Sequence, residues 1–175
     1  LVSDGYLLFR HPDFDSAMQA YLAGECSTVT TDRSQLYSIR AGLANPAEQR
    51  ILPEVISREP LAPAVRKGET RMLDLARWTV YTLINAEELG ITSSNVATAK
   101  ARAQNAEVRT LLDLDGDTAK AIGIEPGWGY RLLLAVGNYA EVFERNLGKP
   151  SGLDIKRGMN ALWNHGGLLY APPPR

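Results

Sequence analysis

The sequence predicts an α/β fold in which a region of strands and helices precedes a helical region. Two observations support this expectation. From residue 1 to about residue 67, short apolar or β-branched runs alternate with amphipathic stretches of helical length, which is typical of βαβ units. After Gly68 the strand signals stop, and apolar residues recur at helical spacing through most of the remaining chain. We therefore expect two domains, residues 1–67 and residues 68–175.

The first region holds candidates for four strands and two helices. Prolines 53, 60 and 63 accompany the last two strand candidates and place them at a sheet edge or at a crossing between lobes, because proline has no N–H to donate to a ladder. In chain order we expect a strand at residues 5–9, a helix capped by Asp15 and closed by Gly24, a strand at residues 28–31, a helix at residues 34–43, and strands at residues 51–57 and 62–66.

The spacing of apolar residues in the second region predicts five helices and an extended tail. Thr70 can cap the first and longest helix, which Gly90 ends and whose apolar stripe includes Met72, Leu83 and Ile84. The others are expected at residues 93–106, 117–122, 130–147 and 153–164, and the tail begins at residues 166–167. A layer of three or four short strands has little core, and these helices need a surface for their stripes, so the chain resembles a part of a larger α/β protein.

The composition excludes several classes of protein. The chain of 175 residues carries 19 Lys+Arg and 20 Asp+Glu, and this near-zero net charge argues against nucleic acid as a partner. No apolar run approaches the roughly 20 residues that cross a bilayer. A single cysteine and two histidines make a zinc or multi-histidine centre improbable, so we expect no metal and no cofactor. The start at Leu1 shows no charged-then-apolar leader, so no targeting signal is predicted here.

Asp32 is the candidate binding residue. It follows the predicted strand at residues 28–31, and ligands of open α/β sheets collect outside the carboxyl ends of strands, where a carboxylate can meet a cation. The alternative is that Asp32 only caps the helix that follows, which aspartate does well. Both roles can coexist, because a carboxylate has two oxygens.

The sequence offers little for nucleophilic catalysis. It has no G-x-S-x-G elbow, and His11 and His165 fall in a strand-exit loop and at a helix end, where structural roles explain them. The tryptophans fall on helix stripes or at helix starts and are expected to pack in a core. We therefore expect a protein that is not an enzyme.

Short stretches distributed along the chain match the sequence pattern of a known family. Residues 20–34 match the pattern "AY-x-AG-x-C-D-x-x-TTD-x-S", although Ser27 stands where an aspartate is usual. The other matching stretches are residues 52–61, 78–81, 84–88, 136–146, 160–164 and 170–173, in the same order. In these stretches the chain resembles the periplasmic general L-amino-acid-binding proteins, the substrate receptors of polar amino acid ABC transporters (solute-binding protein family 3).

The resemblance implies a partial periplasmic-binding-protein-like (type II) fold. Residues 1–67 would be a remnant of the second α/β lobe with its hinge crossing, and residues 68–175 would be helices that pack on the first lobe. Asp32 matches the aspartate that receives the ligand ammonium, and Thr30 and Thr31 match residues that line the strand end. Cys26 would be one half of a disulfide whose partner is missing, which fits a periplasmic location. The intact protein would serve a membrane permease.

Two functions from different classes remain open beside a weak promiscuous hydrolase. The first is an L-amino-acid-binding component of a transporter, or a fragment of one with weak affinity. The second is a truncated open reading frame that keeps the fold as an assembly or interaction module. An open strand edge and uncovered helix stripes would recruit another chain, so we also expect a homodimer with exchanged or mutually packed helices.

Overall fold

The computed structural model describes residues 2–3, 6–58 and 60–173, and the chain divides into two units, Leu1–Glu59 and Pro60–Arg175. The first unit begins with two short antiparallel strands, β1 (Val2–Ser3) and β2 (Tyr6–Leu7). Two helices follow, α1 (Phe14–Leu22) and α2 (Arg33–Gly42), and then a 3-10 turn at Pro46–Glu48. The sequence placed a domain boundary at residues 67–68, eight residues beyond the end of this unit.

Helix α1 is capped by Asp13, not by Asp15. The Asp13 carboxylate accepts the Ser16 N–H at 2.8 Å and the Ser16 hydroxyl at 2.7 Å, and these bonds lower the pKa of Asp13. Asp15 lies in the first helical turn, where a negative charge favours the positive end of the helix dipole. The prediction of a helix over residues 34–43 is confirmed by α2 to within one residue at each end.

The predicted strands of the first region are wrong in most of their extent. Only Tyr6–Leu7 of the expected strand at residues 5–9 is a strand, it is antiparallel, and Gly5 lies outside the described residues. Residues 28–31, 51–57 and 62–66 form no strand, and Glu59 of the expected crossing is not described. A β-branched sequence forms a ladder only beside a second strand, and these segments have no such neighbour among the described residues.

The first unit has almost no core. Ala20 is the one buried side chain among residues 7–58. Large apolar side chains lie more than half exposed instead: Leu7, Leu8, Phe9, Leu22, Leu52, Val55 and Ile56.

The second unit is built on α3 (Thr70–Glu88), the long helix that the sequence predicts. It starts at Thr70 itself, with Glu69 at the cap position, so the expectation that Thr70 caps it is wrong. Its C-terminal half is buried over Thr82–Ala86, while Met72 near its start is 52% exposed.

Five shorter helices pack around α3. They are α4 (Val96–Ala101), α5 (Ala106–Leu111), α6 (Asp117–Ile122), α7 (Trp128–Val136) and α8 (Tyr139–Asn146). The prediction for residues 117–122 is confirmed, but the helices expected at 93–106 and 130–147 are each interrupted. Gly137 interrupts the second of these with a φ of +77°, a left-handed conformation that glycine adopts without a Cβ clash, and Asn138 then caps α8.

The end of the chain is not the helix expected at residues 153–164. It forms 3-10 turns at Lys149–Ser151, Gly158–Asn160 and Trp163–His165, with Asp154 and Gly158 both at positive φ. Leu162 and Leu169 form a parallel bridge, and Pro174 of the expected tail lies outside the described residues. The Arg157 guanidinium holds this segment to α3 through the Glu87 carboxylate at 3.0 Å.

Three apolar clusters form the core of the second unit. The main one joins α3 to the helices that follow it, with buried Leu83, Ala86, Ile91, Val96, Leu111, Leu112 and Leu133. Ile84 packs with Leu162 and Ala171, and Trp128 packs with Ala119 and Ile122. The expectation that the helix stripes lie uncovered is therefore wrong for most of their residues, because the helices bury them against one another.

Candidate functional site

The candidate site lies at the start of α2. Asp32 occupies the N-cap position of this helix, and its backbone carbonyl accepts the Leu36 N–H at 2.9 Å. Its side chain is exposed and makes no cap hydrogen bond. The capping role weighed for Asp32 is therefore wrong in this structure, and both carboxylate oxygens face solvent without a hydrogen bond from a described residue.

The two threonines before Asp32 differ in their surroundings. Thr31 is half-buried, and its hydroxyl donates to Oε1 of Gln35, one turn into α2, at 2.7 Å. This bond ties the segment before the helix to its first turn. Thr30 is exposed and makes no hydrogen bond to a described residue. The structure thus places residues 30–32 together as one short segment that leads into a helix N-terminus.

Two arginines of α2 share one aromatic contact. Arg33 and Arg40 lie over the ring of Tyr37, with the guanidinium carbons 5.9 and 5.3 Å from the ring centroid. Cation–π contacts of this kind orient the two guanidinium groups on the helix surface. Neither arginine forms an ion pair with Asp32, so neither neutralises its carboxylate directly.

Residues 30–32 do not line either of the two depressions described below. Two open depressions of about 330 Å³ each lie in the second unit. One is lined by the end of α3 with α4 and α5, and the other by Arg71, Asp74 and residues of α6. Ligand sites are normally concave and enclose most of the ligand, whereas Asp32 stands on an open surface.

Polar residues that organise the second unit were missed from the sequence. Glu141 accepts the Ser93 N–H and hydroxyl and the Asn138 N–H, and it forms a capping box with Asn138. Burial acts to raise the pKa of Glu141, but these donors act the other way and hold its pKa below the usual glutamate range. The N-x-x-E spacing is a capping-box signature that could have marked the start of α8.

Asp113 is a second polar residue that organises this unit. Its side chain is buried, and its carboxylate accepts the Ala119 N–H at 3.1 Å and the Gly127 N–H at 2.7 Å. Buried carboxylates are retained when hydrogen-bond donors surround them, and here the donors are two backbone groups. Asp113 therefore joins the starts of α6 and α7. Its side chain is not accessible to a substrate from solvent.

The described residues contain no group of three or more His, Cys, Asp or Glu side chains placed to hold a metal ion. Cys26 is a half-buried free thiol there. Within the part of the chain that the structure describes, no helix has the length and apolar character needed to span a bilayer.

No family model matches the chain. A solved structure nevertheless superposes on it with a TM-score of 0.83 and 46% sequence identity, covering 92% of this chain and 50% of that one. That structure is an ABC transporter / periplasmic binding protein from Brucella ovis with glutathione bound. The chain therefore has a partial periplasmic-binding-protein fold, and the α/β fold class predicted from the sequence is confirmed, with far fewer strands than expected.

Two curated relatives indicate which kind of periplasmic binding protein this chain is similar to. The general L-amino acid-binding periplasmic protein AapJ of Rhizobium johnstonii is 51% identical over 158 residues, which are 89% of this chain and 46% of that protein. The glutamate/glutamine/aspartate/asparagine-binding protein BztA of Rhodobacter capsulatus is 48% identical over 163 residues, which are 93% of this chain and 48% of that protein. This chain is thus homologous to the binding proteins of amino-acid ABC transporters, and it spans about half the length of the curated relatives it matches.

Proposed function

We propose that this chain is a substrate-binding component, or a part of one, of an amino acid ABC uptake transporter, and that it binds L-amino acids without catalysing a reaction. The observation that carries this proposal is the 48–51% identity over 89–93% of the chain to proteins that bind amino acids. The proposed location is the periplasm, and the proposed partner of the complete receptor is the membrane permease of the transporter.

The ligand chemistry of the relatives supports a role for Asp32 with Thr31 and Thr30. Amino acids carry an α-ammonium group, and so does the γ-glutamyl end of glutathione, the ligand of the Brucella ovis protein. A desolvated ammonium needs a paired anion. The exposed Asp32 carboxylate, which makes no hydrogen bond within the described residues, is available for that pairing. We assign it the ammonium, and the two threonine side chains the edge of the same site.

The test is calorimetric titration of a hybrid receptor, in which this chain replaces the matching region of the R. johnstonii protein. We expect the hybrid to bind L-glutamate or another L-amino acid. Asp32→Asn should weaken binding about tenfold or more, because a hydrogen bond to a charged group contributes roughly 1.5–3 kcal/mol.

The matched control is Asp15→Asn, since Asp15 is also an exposed aspartate at the start of a helix. It should leave affinity unchanged. Equal affinity of the Asp32→Asn hybrid and the unmodified hybrid would refute the assignment of Asp32. Hydrolysis of an ester or amide by the purified chain, lost on replacing one serine or histidine, would refute the non-enzymatic proposal.

We further propose that the chain by itself binds amino acids weakly and forms homodimers. Weak binding follows because a site that meets only the ammonium leaves the ligand carboxylate without a charged partner. Self-association is supported by the exposed apolar side chains of the first unit, among them Leu8, Phe9 and Ile56. Light scattering after size exclusion tests it, and a monodisperse monomer at micromolar concentration would contradict it.

A further inference from the structure

The backbone of the first unit contains two unpaired segments, residues 28–31 and residues 51–58. Neither belongs to a strand, and their N–H and C=O groups make no hydrogen bond to any described residue. Backbone donors and acceptors without a partner among the described residues are free of the ladders and helices that the structure shows. They are therefore open to a neighbouring chain that can complete a ladder.

The side chains of these segments suit a sheet interior. Val55 is 60% exposed and Ile56 is 83% exposed, and both have β-branched side chains that pack well on a pleated surface. Leu7, Leu8 and Phe9 form another exposed apolar run at the end of β2. The same unit buries only Ala20 among its described side chains, so it has no interior of its own to receive them.

The lack of a neighbouring strand explains why these segments form no ladder. A low β propensity does not explain it. The run Thr28-Val29-Thr30-Thr31 has high β propensity, yet it has no pairing partner. From α3 to its last turn, the second unit does not share this deficit, since it buries apolar residues throughout. The deficit lies in the part of the chain before α3, in residues 28–31 and 51–58 of the first unit and in residues 62–66, which also form no strand.

The lengths of the relatives indicate the occupant. The chain matches 46–50% of three homologous proteins, so about half of each has no counterpart here. In the Brucella ovis protein that other half belongs to the same molecule as the region that superposes with a TM-score of 0.83. The expected partner is therefore a polypeptide with the sequence of this unmatched half.

We propose that the unpaired segments, residues 28–31 and 51–58, become β-strands when the unmatched half of the family fold docks on the first unit. The docking partner supplies backbone hydrogen bonds to at least one segment and covers the apolar side chains at residues 7–9, Val55 and Ile56. This association does not depend on ligand, so its failure is distinct from failure of the proposed amino-acid binding.

The experiment uses this full chain and, as the probe, the unmatched half of the R. johnstonii protein, expressed as a separate polypeptide. We expect a 1:1 complex by light scattering, formed at the expense of any homodimer. Amide hydrogen exchange should slow at residues 28–31 and 51–58 in the complex and stay unchanged at the already buried Leu112 and Leu133. The same probe with the matching region of its own protein is the positive control.

Two sets of variants locate the contact. Ile56→Asp should weaken the complex at least tenfold, while Leu168→Asp, at a 66% exposed leucine of the second unit, should not. Val55→Pro and Ile56→Pro remove one backbone donor each, and neither donor bonds to a described residue in the free chain. Because successive N–H groups of a strand point to opposite sides, we expect at least one of the two prolines to weaken the complex.

A 1:1 complex with new protection in the unpaired segments and a selective loss in Ile56→Asp supports the proposal. It is overturned if the control pair associates but this chain remains unbound or homodimeric. It is also overturned if a complex forms without slowed exchange in those segments, or if Leu168→Asp weakens it as much as Ile56→Asp does. Circular dichroism of each free variant checks that the chain itself is unaltered.

Discussion

The two units of this chain both contain many apolar residues, yet they reach opposite degrees of burial. The first unit keeps Leu52, Val55 and Ile56 in solvent and buries only Ala20 among its described side chains. The second unit buries Leu112 and Leu133 completely, with three apolar clusters around one long helix. Apolar residues alone therefore do not make a core.

The difference lies in what each secondary structure needs. A helix satisfies its backbone within itself, so the second unit can fold its helices against one another and bury their stripes. A strand needs a neighbour for its backbone, and residues 28–31 and 51–58 of the first unit have none among the described residues. Full burial of a valine, leucine or isoleucine side chain contributes roughly 1.5–3 kcal/mol, which the first unit does not gain at its exposed positions.

Hydrogen exchange should show this contrast most strongly. We expect the amides of Val55 and Ile56 to exchange at nearly the rate of an unfolded chain, since they make no hydrogen bond to a described residue. Amides in the buried half of α3, such as Leu83 and Ile84, should exchange more than about 1,000-fold more slowly, because opening them requires most of the unit's unfolding free energy. Exchange at equal rates in both places would contradict the comparison.

Truncation of the second unit's core should give the next largest effect. Leu133→Ala should lower the free energy of unfolding by about 2–5 kcal/mol, because Leu133 is fully buried and its removal leaves a cavity. Leu134→Ala in the same helix is the matched control: Leu134 is 49% exposed, and its truncation should change stability by about 0.5 kcal/mol or less. Urea denaturation followed by Trp78 and Trp128 fluorescence measures both, and equal losses would mean that α7 is not packed as described.

The smallest effect concerns pH and the Glu141 network. Because the pKa of Glu141 is lowered in the folded state, its stabilising contribution is complete above the ordinary glutamate pKa of about 4.3 and is lost as the pH falls through the folded-state pKa. Glu141→Gln should reduce the free energy of unfolding at pH 7 by about 1–2 kcal/mol, because it removes charged hydrogen bonds to Ser93 and Asn138.

The same substitution should make stability less dependent on pH in the acid range. Glu144→Gln, at an exposed position of the same helix, is the control and should change neither quantity. A Glu141→Gln profile parallel to that of the unmodified chain down to pH 2 would show that Glu141 has an ordinary pKa in the fold.

The sequence predicted the positions of helices better than it predicted where a helix is interrupted. Residues 34–43, 70–90 and 117–122 carried enough local signal, in spacing and in flanking glycine or cap residues, to predict α2, α3 and α6. The break between α7 and α8 was missed although Gly137, Asn138 and Glu141 encode it, because the apolar spacing continues across the glycine. Similarity to the family identified Asp32 at a helix start, and its role stays a prediction.

Helical periodicity and the alternation of short apolar runs with helical stretches predicted the fold class, and the shared stretches indicated the similarity to amino-acid-binding proteins, since these are properties of the residues in order. The tertiary structure decided which predicted elements exist. It let the helices of the second unit bury Leu83, Ile84 and Phe143 against their neighbours. It left residues 28–31 and 51–58 without a ladder. The physical reason is that a strand's hydrogen bonds reach outside its own segment, so its formation depends on a neighbour that local sequence cannot supply.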